Sequence, residues 1–296
     1  MSLNRRDFIK LATYGGAVFS TGLIGKNVFA KTGEQDEFYF VQLSDTHWGF
    51  NDKKFNADPE GTLPRAIELV NQLDPQPDFI VFTGDLTHTT DDPNIRRKRM
   101  AEFQDIARKL NTRNVRYMPG EHDASLDNGE AYKEFFGDLN YTFDHKGIHF
   151  IALDNVSDPR ARLGDSQLAW LSEDLNQRTK DAPIVVLTHR PLFDLAPEWG
   201  WSTQDGAKAI ELLMPFENVT VFYGHIHQEH HHQTGHIPHH SARSLIFPLP
   251  VPGSVEKKHK IAWDDAQPYR GLGIRNIETT LPGAAFDLHE INIKKG

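Results

Sequence analysis

The sequence predicts an α/β fold, and three observations predict it. Short apolar runs that read as strands alternate with longer segments whose apolar residues recur at helical spacing. Several of these runs stop at a polar cluster: Asp45/His47, Asp85, Glu121/His122, His189 and His225/His227. The chain has 296 residues, 38% of them hydrophobic, which suffices for one large core. No Pro/Gly/Ser-rich linker divides its middle and no internal repeat is visible. One domain is therefore expected over residues 31–296, behind a segment of different character at 1–30.

Residues 38–43 read as a strand entering Ser44-Asp45. Over 63–73, Leu63, Ala66, Ile67 and Val70 fall on one helical face. Residues 78–83 form a second strand, ending at Gly84-Asp85. Residues 95–110 form a charged amphipathic helix, and 115–118 a third strand closing at Pro119-Gly120. Residues 141–143 and 148–153 predict a hairpin around Lys146-Gly147. A helix is expected over 166–175 with Ser166 as its N-cap. Buried-type strands follow at 184–188, ending at His189, and at 219–223, ending at Gly224-His225. The tail from 244 to 293 carries β-like runs and few helical ones. In α/β sheets, ligand sites gather beyond the carboxyl ends of strands, so clusters far apart in sequence can converge.

Charge and composition narrow the chemistry. A net charge of −9 argues against a nucleic-acid-binding surface. The absence of cysteine excludes disulfides, zinc–thiolate sites, iron–sulfur clusters and cysteine nucleophiles. Any metal must be held by histidine and carboxylate, and the chain has 16 histidines.

Asn4-Arg5-Arg6-Asp7-Phe8-Ile9-Lys10 resembles a twin-arginine export signal. An apolar stretch over 11–24 follows, short and glycine-rich for a membrane span, and Val28-Phe29-Ala30 offers small residues for cleavage. This reading predicts passage through the twin-arginine machinery and a periplasmic product. That route carries folded proteins, so a metal could be loaded before transport. Cleavage after residue 30 would leave 28 basic and 40 acidic residues, a net −12. Such a chain should not stay attached to anionic membranes.

Taken in order, the polar clusters are Asp45-Thr46-His47, Gly84-Asp85, Gly120-Glu121-His122-Asp123, His189 and Gly224-His225-Ile226-His227. This ordered set resembles the calcineurin-like metallophosphoesterase superfamily, whose pattern is D-x-H, G-D, G-N-H-D/E, a lone H and G-H-x-H. The resemblance implies a four-layer αββα sandwich, two mixed β-sheets face to face with helices outside. It implies that Asp45, His47 and His227 hold one metal, that Glu121, His189 and His225 hold another, and that Asp85 bridges them. A bridging carboxylate offsets the repulsion of two cations about 3.5–4 Å apart. A hydroxide shared by the metals would attack phosphorus in phosphomonoesters or phosphodiesters. His122 would steady the transition state or protonate the leaving oxygen, and Asp123 would orient the His122 ring.

Two positions depart from the pattern. Glu121 stands where the family usually has Asn, and it removes one positive charge from the site. The extra carboxylate favours a higher-charged pair: iron together with manganese, zinc or a second iron. His88 stands where purple acid phosphatases carry a ligand tyrosine, so the pattern lies nearer the cyclic-nucleotide and glycerophosphodiester phosphodiesterase branch. The expected substrate is a small-molecule phosphoester or, given the compartment, a lipid or cell-wall one. The competing reading is a dimetal-binding or redox protein on the same fold without phosphoester turnover. Arg190, Trp48 and His88 are candidate substrate contacts. The histidine-rich stretch 228–240 reads as a solvated loop, or else as an auxiliary metal-capture loop or pocket wall.

Overall fold

Strands buried on both faces need near-continuous apolar runs, and such runs recur through this chain. The computed structural model describes Leu3–Asn4, Phe19–Ser20, and residues 38–279 and 286–294. The segment read as an export signal, residues 1–30, otherwise lies outside the described residues. In chain order the elements are β1 (Tyr39–Leu43), α1 (Thr62–Asn71), β2 (Phe79–Thr83), α2 (Pro93–Ala107), β3 (Val115–Met118), α3 (Glu121–Ala124) and α4 (Glu130–Phe136). Then come β4 (Tyr141–His145), β5 (Ile148–Ala152), α5 (Gly164–Leu175), β6 (Pro183–Leu187), α6 (Gly206–Leu213) and β7 (Asn218–Tyr223). The chain ends with β8 (His230–Thr234), β9 (Ile237–Ser241), β10 (Gly273–Thr279) and β11 (Phe286–Asn292).

Two mixed sheets result. In the first, the order is β11-β10-β1-β2-β3, with Phe19–Ser20 paired along β11. In the second it is β8-β9-β7-β6-β5-β4. The parallel cores, β1-β2-β3 and β5-β6-β7, place the carboxyl ends of their strands along one edge of each sheet. Phenylalanines fill the space between the sheets. Phe40 stacks on Phe79 with centroids 4.6 Å apart, and meets Phe150 and Phe222 edge-on at 5.8 and 5.9 Å. The outer faces are covered by α1 and α2 on the first sheet and by α5 and α6 on the second. The four-layer sandwich expected from the motif set is therefore present. Among the described residues, no helix is long and apolar enough to cross a membrane.

Most expected elements lie where the periodicity put them, and Leu63, Ala66, Ile67 and Val70 are the buried face of α1. α2 begins two residues early because Asp92 caps it, its carboxylate accepting from the amides of Asn94 and Ile95, and Pro93 suits the first turn. Ser166 is not the N-cap of α5. That helix starts at Gly164, and the amides of Leu163 and Gly164 donate to the carboxylate of Asp205, at 2.8 and 2.9 Å, from across the fold. The stretch 228–240 is not a solvated loop. It is the β8–β9 hairpin, pairing His231 with His240 and His232 with His239, and His239 and His240 are buried.

Candidate metal centre

The strand ends converge at one end of the sandwich, and the backbone there is forced. Asp45, His47, Asp85, His225 and His227 have φ of 53°, 43°, 51°, 66° and 55°. These are left-handed values that non-glycine residues rarely adopt and that gather at functional sites. The turns are stitched together: the Asp45 amide donates to the Gly84 carbonyl and the His47 amide to the Asp85 carbonyl. Two glycines make the approach possible. A Cβ on Gly84 would lie 2.3 Å from His189 Nδ1, and one on Gly120 would lie 2.0 Å from Asp85 Oδ1.

All seven residues singled out as metal ligands meet here, in two groups that could each hold a cation: Asp45, His47, Asp85 and His227; and Asp85, Glu121, His189 and His225. Asp85 belongs to both. Its Oδ2 lies 3.4 Å from His47 Nε2 and 3.5 Å from His189 Nε2, while its Oδ1 accepts from the His122 amide. In the first group, His47 Nε2 and His227 Nε2 are 3.2 Å apart, and His227 Nε2 is 3.4 Å from Asp45 Oδ1. In the second, Glu121 reaches His225 Nδ1 with one oxygen and His189 Nε2 with the other, each at 2.9 Å. Ligand atoms about 2.1 Å from a shared ion sit about 3.0–3.4 Å from one another, so these spacings fit ions at the two centres. Glu121 Oε2, His189 Nε2 and His225 Nδ1 are buried and make no hydrogen bond, despite their proximity. Atoms that crowd together without bonding suit a cation placed between them.

The histidine tautomers point the same way. His189 Nδ1–H donates to the Thr83 carbonyl at 2.7 Å, His227 Nδ1–H to the Phe247 carbonyl at 2.7 Å, and His225 Nε2–H to the Gly200 carbonyl at 3.0 Å. Each bond fixes the proton on the outward nitrogen and leaves the other nitrogen's lone pair facing the centre. Electrostatics add to this. Burial raises the Asp85 carboxyl, yet His122, His189 and His47 hold it at about 2. Burial disfavours a charged His189, but Asp85 and Glu121 outweigh it and hold the ring well above the usual imidazole range. The buried carboxylates thus call for positive charge at this point.

An open cleft of about 300 Å³ lies over the centre, lined by His47, Asp85, Glu121, His225, His227 and their neighbours. His122 and His88 are on its wall, their rings stacked with centroids 5.1 Å apart. His88 Nδ1 is 3.4 Å from His47 Nδ1, and its pKa is lowered to about 4, by burial first and by His122 and Arg99 next. Asp123 does not orient the His122 ring. Its carboxylate is filled by the amides of Leu86, Thr87 and Gly120 and the Thr87 hydroxyl, whereas His122 Nδ1 accepts from the Thr89 amide. Asp123 therefore locks the β2 and β3 turns against each other. Trp48 is not a substrate contact either: it packs against the first sheet's outer core, with its indole N–H on Glu102. Arg190 is absent from the cleft wall. Burial, with the Arg190 charge adding to it, keeps His225 below the usual imidazole range.

Sequence reasoning missed the other wall. Phe247, Leu249, Lys258, His259 and Lys260 all line the cleft and come from one irregular strap between β9 and β10. The run Lys257-Lys258-His259-Lys260 was the available signal. The auxiliary metal reading of the hairpin also fails: among the described residues, groups of three or more suitable donors occur only around the cleft, the third being His47, His88 and His122.

Comparison with known proteins agrees with this geometry. The chain is 29% identical over 205 residues to a cAMP/cGMP dual specificity phosphodiesterase of Mycobacterium tuberculosis, covering 64% of this chain and 62% of that one. It therefore spans less than two thirds of that relative. It is 26% identical over 218 residues to the serine/threonine-protein phosphatase CPPED1 of Danio rerio, covering 64% of this chain and 70% of that one. The fold matches the crystal structure of a dimetal phosphatase from Danio rerio with a TM-score of 0.56 and 14% identity, covering 88% of this chain and 99% of that one. Residues 38–229 match the family described as calcineurin-like phosphoesterase, and the chain belongs to that family.

Proposed function

We propose that the protein is an exported phosphoesterase with a dinuclear metal centre, hydrolysing phosphomonoesters or phosphodiesters. One observation carries the reading: Asp85 Oδ2 stands between two groups of donors, and in the second of them Glu121 Oε2, His189 Nε2 and His225 Nδ1 face one another, buried, without a hydrogen bond. Asp45, His47, Asp85 and His227 would hold one ion, and Asp85, Glu121, His189 and His225 the other. When bound, two such ions supply a water acidified toward neutrality and neutralise phosphoryl oxygens. The chain's own residues do the rest. The carbonyls of Thr83, Phe247 and Gly200 hold three ligand rings in their working tautomers. His122, with Nδ1 occupied by the Thr89 amide, offers Nε2 to the leaving oxygen. The cleft's size and open mouth suit a small ester.

Similarity to both a phosphodiesterase and a phosphatase supports an ester substrate without choosing between classes. The three carboxylates of the centre support iron paired with manganese, zinc or a second iron. Purified protein should carry close to two metal ions and release p-nitrophenol from a mono- or a bis-ester. Protein fully loaded with manganese, iron or zinc that leaves both esters intact would instead support a binding or redox role. The twin-arginine motif supports export, and replacing Arg5 and Arg6 by Lys should retain the protein in the cytoplasm.

A further inference from the structure

The cleft carries a positive group for which the metal centre alone does not account. Lys258 lies on the cleft wall with Glu121, His225 and Phe247. Its ammonium donates to the Trp199 carbonyl at 2.5 Å, and the next carbonyl along, that of Gly200, accepts from His225 Nε2–H. His225 Nδ1 in turn lies 2.9 Å from Glu121. A single turn thus holds both Lys258 and the ring that faces Glu121. One donor of the ammonium is used by Trp199, leaving others for a ligand in the cleft. Lys260, two residues on, also lines the cleft, with its ammonium over the faces of Phe50, Phe55 and Phe247 at 5.3–5.6 Å.

Glu121 brings negative charge to the mouth of a centre that must receive an anion. We propose that Lys258 offsets the Glu121 carboxylate and binds the phosphoryl oxygens of the substrate, making the two residues a matched charge pair of the specificity pocket. The inference rests on the phosphoesterase reading. Burial, the larger effect, together with Arg190 holds the lysine below the usual ammonium range, while Glu121 favours its charged form. The charge is also placed where it is useful, since a cation on the wall attracts an anionic group without competing for the buried ligand positions.

The test is a double-mutant cycle read by calorimetric binding of inorganic phosphate to metal-loaded protein, with metal content measured in every variant. Lys258→Met should weaken phosphate binding about tenfold, and Lys258→Arg should keep it within about threefold of the unaltered protein. In a Glu121→Gln background, Lys258→Met should weaken phosphate binding less than about threefold relative to Glu121→Gln alone. Phosphate affinity within about twofold of the unaltered value in Lys258→Met, or equal losses in both backgrounds, overturns the pairing. A lowered melting temperature with unchanged phosphate affinity does so too, leaving Lys258 as a tether for Trp199. Unaltered loaded protein that neither binds phosphate nor cleaves esters sinks the phosphoesterase reading as well, which separates the two failures.

Discussion

Two regions of this molecule are built from buried histidines, and they differ in where the rings' second nitrogens point. At the candidate metal centre, His189, His225 and His227 each give one nitrogen to a backbone carbonyl and turn the other toward carboxylates and further rings. In the β8–β9 hairpin the rings spend themselves on neighbours. His232 stacks on Phe193 with centroids 3.8 Å apart, His230 Nδ1 takes up the Tyr223 hydroxyl, and His231 and His240 bond to each other through Nδ1. Glu229 reaches His231 Nε2 at 3.4 Å, but among the described residues no three donors of the hairpin share a common focus. A histidine count therefore says little about metal binding; a carbonyl behind the ring and carboxylates in front of it say more.

The widest separation between the regions should appear on losing Asp85. Asp85→Asn removes the atom shared by both groups, and should abolish stoichiometric metal binding and lower ester hydrolysis by well over about 100-fold, the upper range for residues merely supporting a ligand. Metal analysis and kinetics that match the unaltered protein would contradict the shared role. Asp123→Ala should act through stability instead, costing about 3 kcal/mol in denaturant unfolding because three amides and a hydroxyl lose their buried acceptor.

The hairpin should reveal itself on acidification. Burial lowers His239 to about 3 and His240 to about 2, so both are neutral in the fold while the unfolded chain takes up protons below about 6.5. Their contribution is complete above that pH and is lost as pH falls toward 3, by up to about 1.4 kcal/mol per pH unit for each ring. Unfolding titrations should show the slope, and His239→Phe should remove its share. A slope unaltered by that substitution would mean other groups set acid sensitivity. The smallest effect belongs to His232→Leu, which keeps the packing on Phe193 and should change stability by about 0.5 kcal/mol or less with metal content untouched.

The convergence of the strand-end residues was legible because metal-competent side chains follow closely on apolar runs, with a glycine where the turn is tight. The layers were legible for a similar reason, since Leu63, Ala66, Ile67 and Val70 keep helical spacing and the parallel strands are mostly apolar. What escaped was whatever depends on backbone or on distant partners. The carbonyls of Thr83, Gly200 and Phe247 carry no side-chain signature. Asp205 caps α5 from 41 residues away, and nothing near Ser166 announces it. The hairpin strands are written in histidine rather than alternating apolar residues, so their burial showed no period. The strap bearing Lys258 has no regular structure to infer.

The left-handed turns at Asp45, His47, Asp85, His225 and His227 carry a consequence for folding as well as chemistry. Glycine would relax each of these positions, at the cost of a donor. An unloaded chain so altered could melt at a higher temperature than the natural one, while the loaded protein would lose its ions. Selection for thermal endurance alone would erode this pocket first, because its working residues are the ones the bare polypeptide has most reason to discard.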